Sequence, residues 1–320
     1  MTTPVRVPGL RGRLPVKPAG ERFAIGYLDT YLRSPLPAPS YPVDVTGGIP
    51  GEWWGMCGNG PDPTCTTYPN GVGDCGFAAK VHYGMSKAAC YGETETPESS
   101  DDLVAEYFAY DHGQDVGVNL ADVLLYWFNA GKIKAFAPVD HTDPAAVDSA
   151  MEAFKGVYVG VNLTDDANDL FNQGEPWTVA NGEQSDPYLG HCILKVKADG
   201  GSLDGYVTWG ALQLASRDWS LACLDEAWVV VMTEDEAAKI DMAALLADIN
   251  ALGGTGGSPG PVTPPAPEPV PPVPPAPEPP PAPVDPRTLL EQIAEAVRSV
   301  AASAEKDITE LLALLASHGL

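Results

Sequence analysis

The chain has 320 residues, a formal net charge of −25 and a sequence pI near 4.3. This length suffices for one well-packed domain with appendages, and the charge repels phosphate backbones and anionic membranes, so no nucleic-acid partner is expected. There is neither an apolar run of the ~20 residues that a membrane span needs nor a signal-peptide core near Met1, so we expect no membrane partner and synthesis in the cytoplasm without a signal peptide.

Residues 1–50 are rich in proline and predict an extended arm. Six basic residues up to Arg33 stand against Glu21 and Asp29, so six minus two gives this segment a local charge of +4. An arm of this charge is expected to lie across the acidic body of its own domain, with partner binding as the alternative.

Residues 51–252 carry the alternating helix and strand patterns of one domain. Helices are predicted from Cys75, from Ser99 to near His112, from Asn119 to Gly131, from Asp143-Pro144 to Gly156, and from Thr233 to Gly253. Strands are predicted at 132–139, 157–163, 191–197, 205–209 and 227–232. The order indicates an α+β fold with a mostly antiparallel sheet facing a helical half, and a cleft between the two lobes.

The C-terminal part divides into two segments of different composition. Between Gly253 and Pro286, 16 of 34 residues are proline, which is typical of a semi-rigid linker. Residues 287–320 carry an apolar stripe from Leu290 to Leu315 in steps of three and four, which predicts an amphipathic helix. Because a lone helix cannot bury such a stripe, it is expected to self-associate as a coiled coil or to dock on a protein partner.

Cys75 is the candidate nucleophile. It follows the glycine-rich stretch Asn70 to Asp74 and precedes small and apolar residues with helical spacing, so it is placed at a helix N-terminus. Free N–H groups and the positive end of the helix dipole favour a thiolate at such a position.

His191 is the candidate base because it opens an alternating apolar run directly after Gly190, at a strand start. His112 and His141 fall at helix edges or in loops and are interpreted as solvated or capping residues.

The remaining cysteines and acidic residues suggest no cofactor and no metal site. Cys57 and Cys65 bracket a turn-rich loop and either form a disulfide or remain free thiols. Their spacing does not fit zinc, and the acidic run from Asp165 to Asp169 lacks the glycine and closing glutamate of a calcium loop, so a solvated helix start is the better interpretation.

Four motifs occur in the order Gly12-Arg13-Leu14-Pro15, Gly73-Asp74-Cys75, Gly190-His191 and Val207-Thr208-Trp209-Gly210. With this order the chain resembles papain-like cysteine peptidases over residues 11 to 232. It is most similar to an uncharacterised papain-fold group from phages and prophages of actinobacteria and other bacteria. The resemblance implies a two-lobed fold and a hydrolase that acts on a peptide or another amide through Cys75 and His191.

The resemblance also implies roles for neighbouring residues. Trp209 would shield the histidine. Val207 stands where papain-like enzymes have the asparagine that orients the histidine, so Thr208 or a backbone carbonyl is expected to do so. The glutamine that usually stabilises the oxyanion is missing, and Asn70 is the candidate side-chain donor.

A second hypothesis is a catalytically weak or inert papain-fold protein with a structural or docking role in a virion. The proline-rich linker and terminal helix favour it, since they suit attachment to an assembly. Thiol labelling at acidic pH separates the two hypotheses, because only an activated thiolate reacts there.

Overall fold

The computed structural model describes residues 10, 12–15, 25–93, 97–179 and 190–253. The predicted proline-rich linker after Gly253 and the predicted terminal helix lie outside these residues. Within them, no helix is long and apolar enough to cross a membrane.

The described part combines short helices with one sheet. Its helices are α1 (Leu28–Tyr31), α2 (Cys75–Tyr91), α3 (Ser100–Tyr110), α4 (Leu120–Asn129), α5 (Pro144–Phe154), α6 (Ala167–Gln173), α7 (Arg217–Cys223), α8 (Glu234–Ala237) and α9 (Met242–Ala251). Its strands are β1 (Val43–Asp44), β2 (Ala135–Val139), β3 (Val157–Asn162), β4 (Gly190–Ala198), β5 (Leu203–Thr208), β6 (Ala211–Ser216) and β7 (Leu224–Val231).

The seven strands form one sheet in the order β2-β7-β3-β4-β5-β6, and β1 pairs with β4. All six strand pairs are antiparallel, as the sequence predicts. The long helix α2 packs against β4, which pairs with β3 on one side and β5 on the other. The helix carrying the candidate nucleophile is therefore held directly against the strand carrying the candidate base.

Several predicted helix starts are confirmed at the level of single hydrogen bonds. The Ser99 side chain accepts from the Asp102 N–H, and the Asp143 side chain accepts from the N–H groups of Ala145 and Ala146, with Pro144 in the first turn. Thr233 and Glu236 form a reciprocal capping box. The predicted single helix from Thr233 to Gly253 is wrong, because it breaks after Ala237 and restarts as α9.

The turn between β5 and β6 is a feature that the sequence pattern did not reveal. Trp209 and Gly210 connect Thr208 to its partner Ala211, and both have positive φ, 45° and 71°. Two-residue hairpins favour such angles, but a tryptophan rarely adopts them. Here the Trp209 ring is buried against Phe171 and Trp177, with ring centroids 5.0 and 6.1 Å away, so packing offsets the backbone strain.

Candidate active site

Cys75 is the first residue of α2, and the loop before it is tied down from three sides. The Val72 N–H donates to the Gly58 carbonyl (2.9 Å), the Asn59 side chain donates to the Val72 carbonyl (3.2 Å), and the Gly73 N–H donates to Asp115 (2.9 Å). These bonds fix the backbone that delivers the cysteine to the helix start. The residue itself is buried, with 1% of its surface exposed.

His191 lies in β4 and is buried against the β5–β6 hairpin. Its Nε2 is 2.7 Å from the Thr208 hydroxyl oxygen, and its ring stacks on Trp209 with centroids 4.8 Å apart and planes at 27°. Val207 pairs with Leu194 in the register of the two strands, and adjacent strand residues point to opposite faces. Thr208 therefore reaches the imidazole, and Val207 does not take the place of the orienting asparagine.

Cys75 lies close to the backbone of β4, the strand that carries His191. A backbone hydrogen bond from Cys192, the residue after His191, acts on the Cys75 thiol and lowers its pKa. The sulfur of Cys75 thus lies beside the start of the strand that carries His191. A direct hydrogen bond between the Cys75 sulfur and the His191 ring remains a prediction.

Two residues of the N-terminal arm, Gly12 and Arg13, lie against this site. A Cβ added to Gly12 would lie 1.5 Å from the Gly73 carbonyl oxygen, and one added to Gly190 would lie 2.5 Å from the Arg13 carbonyl oxygen. Residues 12 and 13 therefore run between the glycine before Asp74-Cys75 and the glycine before His191. Both contacts are too close for any side chain, so glycine is required at Gly12 and Gly190.

Arg13 anchors the arm through ion pairs that are buried in the sheet. Its Nε lies 2.9 Å from Glu226 and its Nη2 lies 2.6 Å from Asp225, while Nη1 donates to Asn162 (3.1 Å). Burial by itself lowers the pKa of Arg13, but the charges of Glu226 and Asp225 outweigh it and raise the pKa. Arg13 therefore lies on acidic residues of its own domain, while Arg6, Arg11, Lys17 and Arg22 of the predicted arm lie outside the described residues.

Burial dominates the electrostatics of the candidate nucleophile. It raises the pKa of Cys75 to about 12; backbone hydrogen bonds from Cys192 and Gly12 and the charge of Arg13 oppose this rise, and Asp74 adds to it. Asp74 is itself fully buried, and burial raises the pKa of its carboxyl well above the usual value. With Gly12 and Arg13 in place, loss of solvent raises the pKa of Cys75 more than its surroundings lower it. The thiolate that the sequence predicts at this helix start is therefore not favoured in the closed arrangement.

The amide expected to stabilise the oxyanion, Asn70, lies exposed in the loop before α2. Sequence reasoning missed Asn59, which is 2% exposed and donates to the Val72 carbonyl, and whose amide lowers the pKa of the buried Asp74 carboxyl. The sequence did contain a signal for Asn59, because it lies between Gly58 and Gly60. Paired glycines of this kind are typical of a loop that packs closely on another stretch of backbone. A Cβ on Gly71 would lie 2.4 Å from Gly60.

A second thiol and imidazole lie together in the helical half. The Cys57 sulfur is 3.7 Å from Nε2 of His82, which also lies 3.1 Å from the Gly55 carbonyl oxygen. Burial raises the pKa of the Cys57 thiol and lowers the pKa of His82 to about 4, so both groups are neutral at pH 7. This contact is a neutral packing pair and not an activated thiolate.

The structure also describes the predicted cysteine pair and the acidic run before α6. All six cysteines are free, so Cys57 and Cys65 form no disulfide, and the Cys65 thiol lies 3.6 Å from a carboxylate oxygen of Asp101. The acidic run after Thr164 leads into α6, as a helix start. Among the described residues, no three histidine, cysteine or acidic side chains are arranged to hold a metal ion.

No protein-family model matches the sequence, and no curated protein matches it. Among solved structures, the fold is similar to that of Xylellain, a cysteine protease from Xylella fastidiosa, with a TM-score of 0.50. The match covers 73% of this chain and 100% of that chain, at 12% sequence identity. A likeness at this identity concerns the fold, and the predicted papain-like α+β fold is confirmed.

Proposed function

We propose that this protein is a cysteine hydrolase that cleaves a peptide or another amide by acyl transfer through Cys75, with His191 as the base. One observation carries the proposal. The Cys75 thiol lies at a helix start, the backbone of Cys192, the residue next to His191, lowers its pKa, and the His191 ring contacts Thr208 and stacks on Trp209. This arrangement supports a nucleophile and a base on neighbouring elements of a papain-like fold.

In the proposed reaction, His191 takes the thiol proton and the Cys75 thiolate attacks the carbonyl carbon of the amide. The tetrahedral intermediate collapses as the carbon–nitrogen bond breaks, and the imidazolium gives its proton to the departing amine. Water, deprotonated by His191, then hydrolyses the thioester and releases the acid and the free thiol. The Cys75 N–H at the start of α2 is positioned to donate to the oxyanion.

In this proposal, access to the buried sulfur requires residues 12 and 13 to move away, because Gly12 packs on Gly73 and its backbone lies close enough to lower the pKa of Cys75. The closed arrangement is thus the resting state in this proposal, and opening of the arm precedes substrate binding. Exposure of the thiol to water removes the main cause of its raised pKa.

The test is site-resolved alkylation of the full chain by iodoacetamide at pH 5.5, read by mass spectrometry. We expect His191→Ala to slow labelling of Cys75 by about tenfold for each unit by which the imidazole lowers the thiol pKa. Opening of the arm multiplies the Cys75 labelling rates of the wild type and of His191→Ala by the same factor. The ratio of the two rates therefore measures the effect of His191 on the Cys75 thiol. Cys90, which is partly exposed and bonded to the Val45 carbonyl, is the internal reference thiol.

Equal labelling of Cys75 in the wild type and in His191→Ala would contradict the hydrolase. It would favour the second candidate, an inert structural or docking protein, which the burial of Cys75 and its raised pKa support. Folding of both proteins, checked by circular dichroism, and equal labelling of Cys90 are the controls.

A place in a phage particle is a separate part of the proposal, and it rests on the four sequence motifs and on the linker and helix pattern after Gly253. In it, a protein made in the cytoplasm is incorporated into the virion through the C-terminal segment. Mass spectrometry of purified particles tests this part, and absence of the chain from them would remove it.

A further inference from the structure

Cys192 is a buried thiol that the proposed reaction does not use. It lies in β4 directly after His191, and 3% of its surface is exposed. In the sheet, Cys192 is directly opposite Gly160, and directly opposite residues of an antiparallel pair place their side chains on the same face. A Cβ added to Gly160 would lie 2.8 Å from a carboxylate oxygen of Glu226, the partner of Arg13. The Cys192 thiol therefore lies on the face of the sheet where Arg13 is anchored.

Tyr158 shows that the start of α2 packs on this same face. It lies two residues before Gly160 in β3, so the two positions share one side of the sheet. The Tyr158 hydroxyl donates to the Gly76 carbonyl (3.0 Å), and a Cβ added to Gly76 would lie 3.0 Å from the same hydroxyl oxygen. Gly76 directly follows Cys75 in α2. The helix start that carries Cys75 thus packs on the face of the sheet that carries Cys192.

The electrostatics of the two thiols agree with this placement. Burial raises the pKa of Cys75 to about 12, and the backbone of Cys192 is the largest influence that lowers it. Burial also raises the pKa of Cys192 well above the usual value, and the charge of Cys75 is the next largest cause of that rise. Both residues are free thiols. The closed arrangement therefore holds two neutral thiols beside each other.

We propose that Cys75 and Cys192 form a reversible modification site, in which a hydroperoxide joins the two thiols in a disulfide. This inference goes beyond the proposed function and does not require it, because it depends on the two thiols alone. A disulfide joins Cβ atoms about 3.8 Å apart, which suits side chains that face each other from packed elements. If the chain is a hydrolase, the disulfide removes its nucleophile until a reductant restores it.

The chemistry has two steps. Peroxide reaches the Cys75 sulfur when Gly12 and Arg13 move away, and the exposed thiol at the helix start loses its proton more readily. The thiolate attacks one peroxide oxygen and the oxygen–oxygen bond breaks, which leaves a sulfenic acid on Cys75 and a hydroxide or alkoxide that takes up the thiol proton. The Cys192 sulfur then attacks the sulfenic sulfur, and hydroxide departs with the Cys192 proton as water. The two thiols give two electrons to the peroxide, and a dithiol returns them by exchange.

The test maps disulfides in the full chain by mass spectrometry after treatment with hydrogen peroxide. Catalase removes the excess peroxide, N-ethylmaleimide blocks free thiols in denaturant, and the chain is digested without reduction. We expect a pair of peptides joined through Cys75 and Cys192, which dithiothreitol separates. Labelling of native Cys75 by iodoacetamide should fall by the bridged fraction and return after dithiothreitol.

Cys192→Ser and Cys223→Ser are the matched variants, because each replaces a buried free thiol. Without Cys192, the sulfenic acid on Cys75 has no neighbouring thiol. We therefore expect peroxide to carry Cys75 on to sulfinic acid, which dithiothreitol does not reverse. Cys223→Ser should form the Cys75–Cys192 disulfide as the wild type does.

The map of the wild type decides the proposal without any variant, so the result does not depend on folding of Cys192→Ser. Cys75 recovered only as a free thiol, as an over-oxidised acid or in a disulfide with another cysteine would overturn it. So would a Cys75–Cys192 disulfide that forms equally when catalase is added before the peroxide, since it would then arise during denaturation. If the disulfide forms but His191→Ala leaves labelling of Cys75 unchanged, the hydrolase alone is overturned.

Discussion

His82 lies in the same helix as Cys75, seven residues further along, yet its surroundings give it no reason to act as a base. Its ring is fully buried beside Cys57, and the Trp54 ring meets it edge-on with centroids 6.1 Å apart. A neutral thiol and a neutral imidazole can contact each other here without any charge being buried, whereas an ion pair at this depth would carry a large desolvation penalty. Burial therefore assigns His82 to the core.

The neutral state of His82 predicts how stability depends on pH. The folded chain holds this imidazole neutral down to about pH 4, whereas the unfolded chain protonates it near pH 6.5. The unfolded state thus binds more protons in this window, and the contribution of His82 is complete above pH 6.5 and lost as pH falls through 4. We expect His82 to account for a fall of up to about 3 kcal/mol in the free energy of unfolding over this pH range.

Denaturant unfolding of the wild type and His82→Gln between pH 7.5 and 4.5 measures this loss. Glutamine keeps a donor near the Gly55 carbonyl but does not titrate, so its free energy of unfolding should fall less with pH. His112→Asn, at an exposed histidine with φ of 53°, is the matched control and should follow the wild type. Identical pH dependence in wild type and His82→Gln would contradict the assignment.

At the scale of elements, the sequence predicted those parts of the site that are marked by a local pattern, such as a glycine or a helix cap. His191 directly follows Gly190, Cys75 comes two residues after Gly73, and caps such as Ser99 and Asp143 marked helices correctly. The β5–β6 hairpin was missed because its turn uses Trp209 at positive φ, where asparagine or glycine would be the usual signal. Tertiary packing of Trp209 stabilises that turn, and a local sequence pattern cannot predict such packing.

The arm was predicted to lie on the domain, but its place at the nucleophile could not be inferred. Arg13 and Glu226 are 213 residues apart in sequence. Complementary charge indicates attraction between two segments and does not specify where they meet. The role of Gly12 depends equally on a distant carbonyl, that of Gly73, so only the folded backbone shows it.

This contact predicts that Gly12→Ala opens the site. The added methyl group would lie 1.5 Å from the Gly73 oxygen, so the closed arm becomes strained while the open arm is unaffected. Overpacking of this kind costs about 1 to 3 kcal/mol, so we expect iodoacetamide to label Cys75 about tenfold faster or more. Gly201→Ala is the matched control, because nothing lies within 4 Å of its Cβ and its φ is not positive.

Labelling that rises in Gly12→Ala but not in Gly201→Ala would support closure by the arm. An unchanged Cys75 rate in Gly12→Ala, measured alongside Cys90 as reference, would show that residues 12–15 do not limit access. A rise at Cys90 as well would indicate general loosening of the fold and would count against a local effect.

At the scale of the whole molecule, the described residues form a core that ends with α9, where Leu245 and Ile249 are fully buried. The apolar stripe that the sequence predicts after Arg287 lies outside the described residues, and we expect it to act in association. About eight apolar side chains lie on that stripe, each stabilising by roughly 1.5 to 3 kcal/mol when fully buried. A helix that leaves them in water is expected to associate.

We therefore expect the full chain to form an oligomer and a chain ending at Gly253 to be a monomer, as measured by light scattering. Ile308→Glu, within the stripe from Leu290 to Leu315, should dissociate the full chain, because it places a charge in the predicted seam. Lys306→Glu, outside the stripe, is the matched control and should leave the oligomer intact. If full-length and shortened chains are both monomers, self-association is wrong. Docking on another protein then remains as the explanation, since the steps from Val300 to Ala304 to Ile308 depart from a regular heptad and also suit a partner's groove.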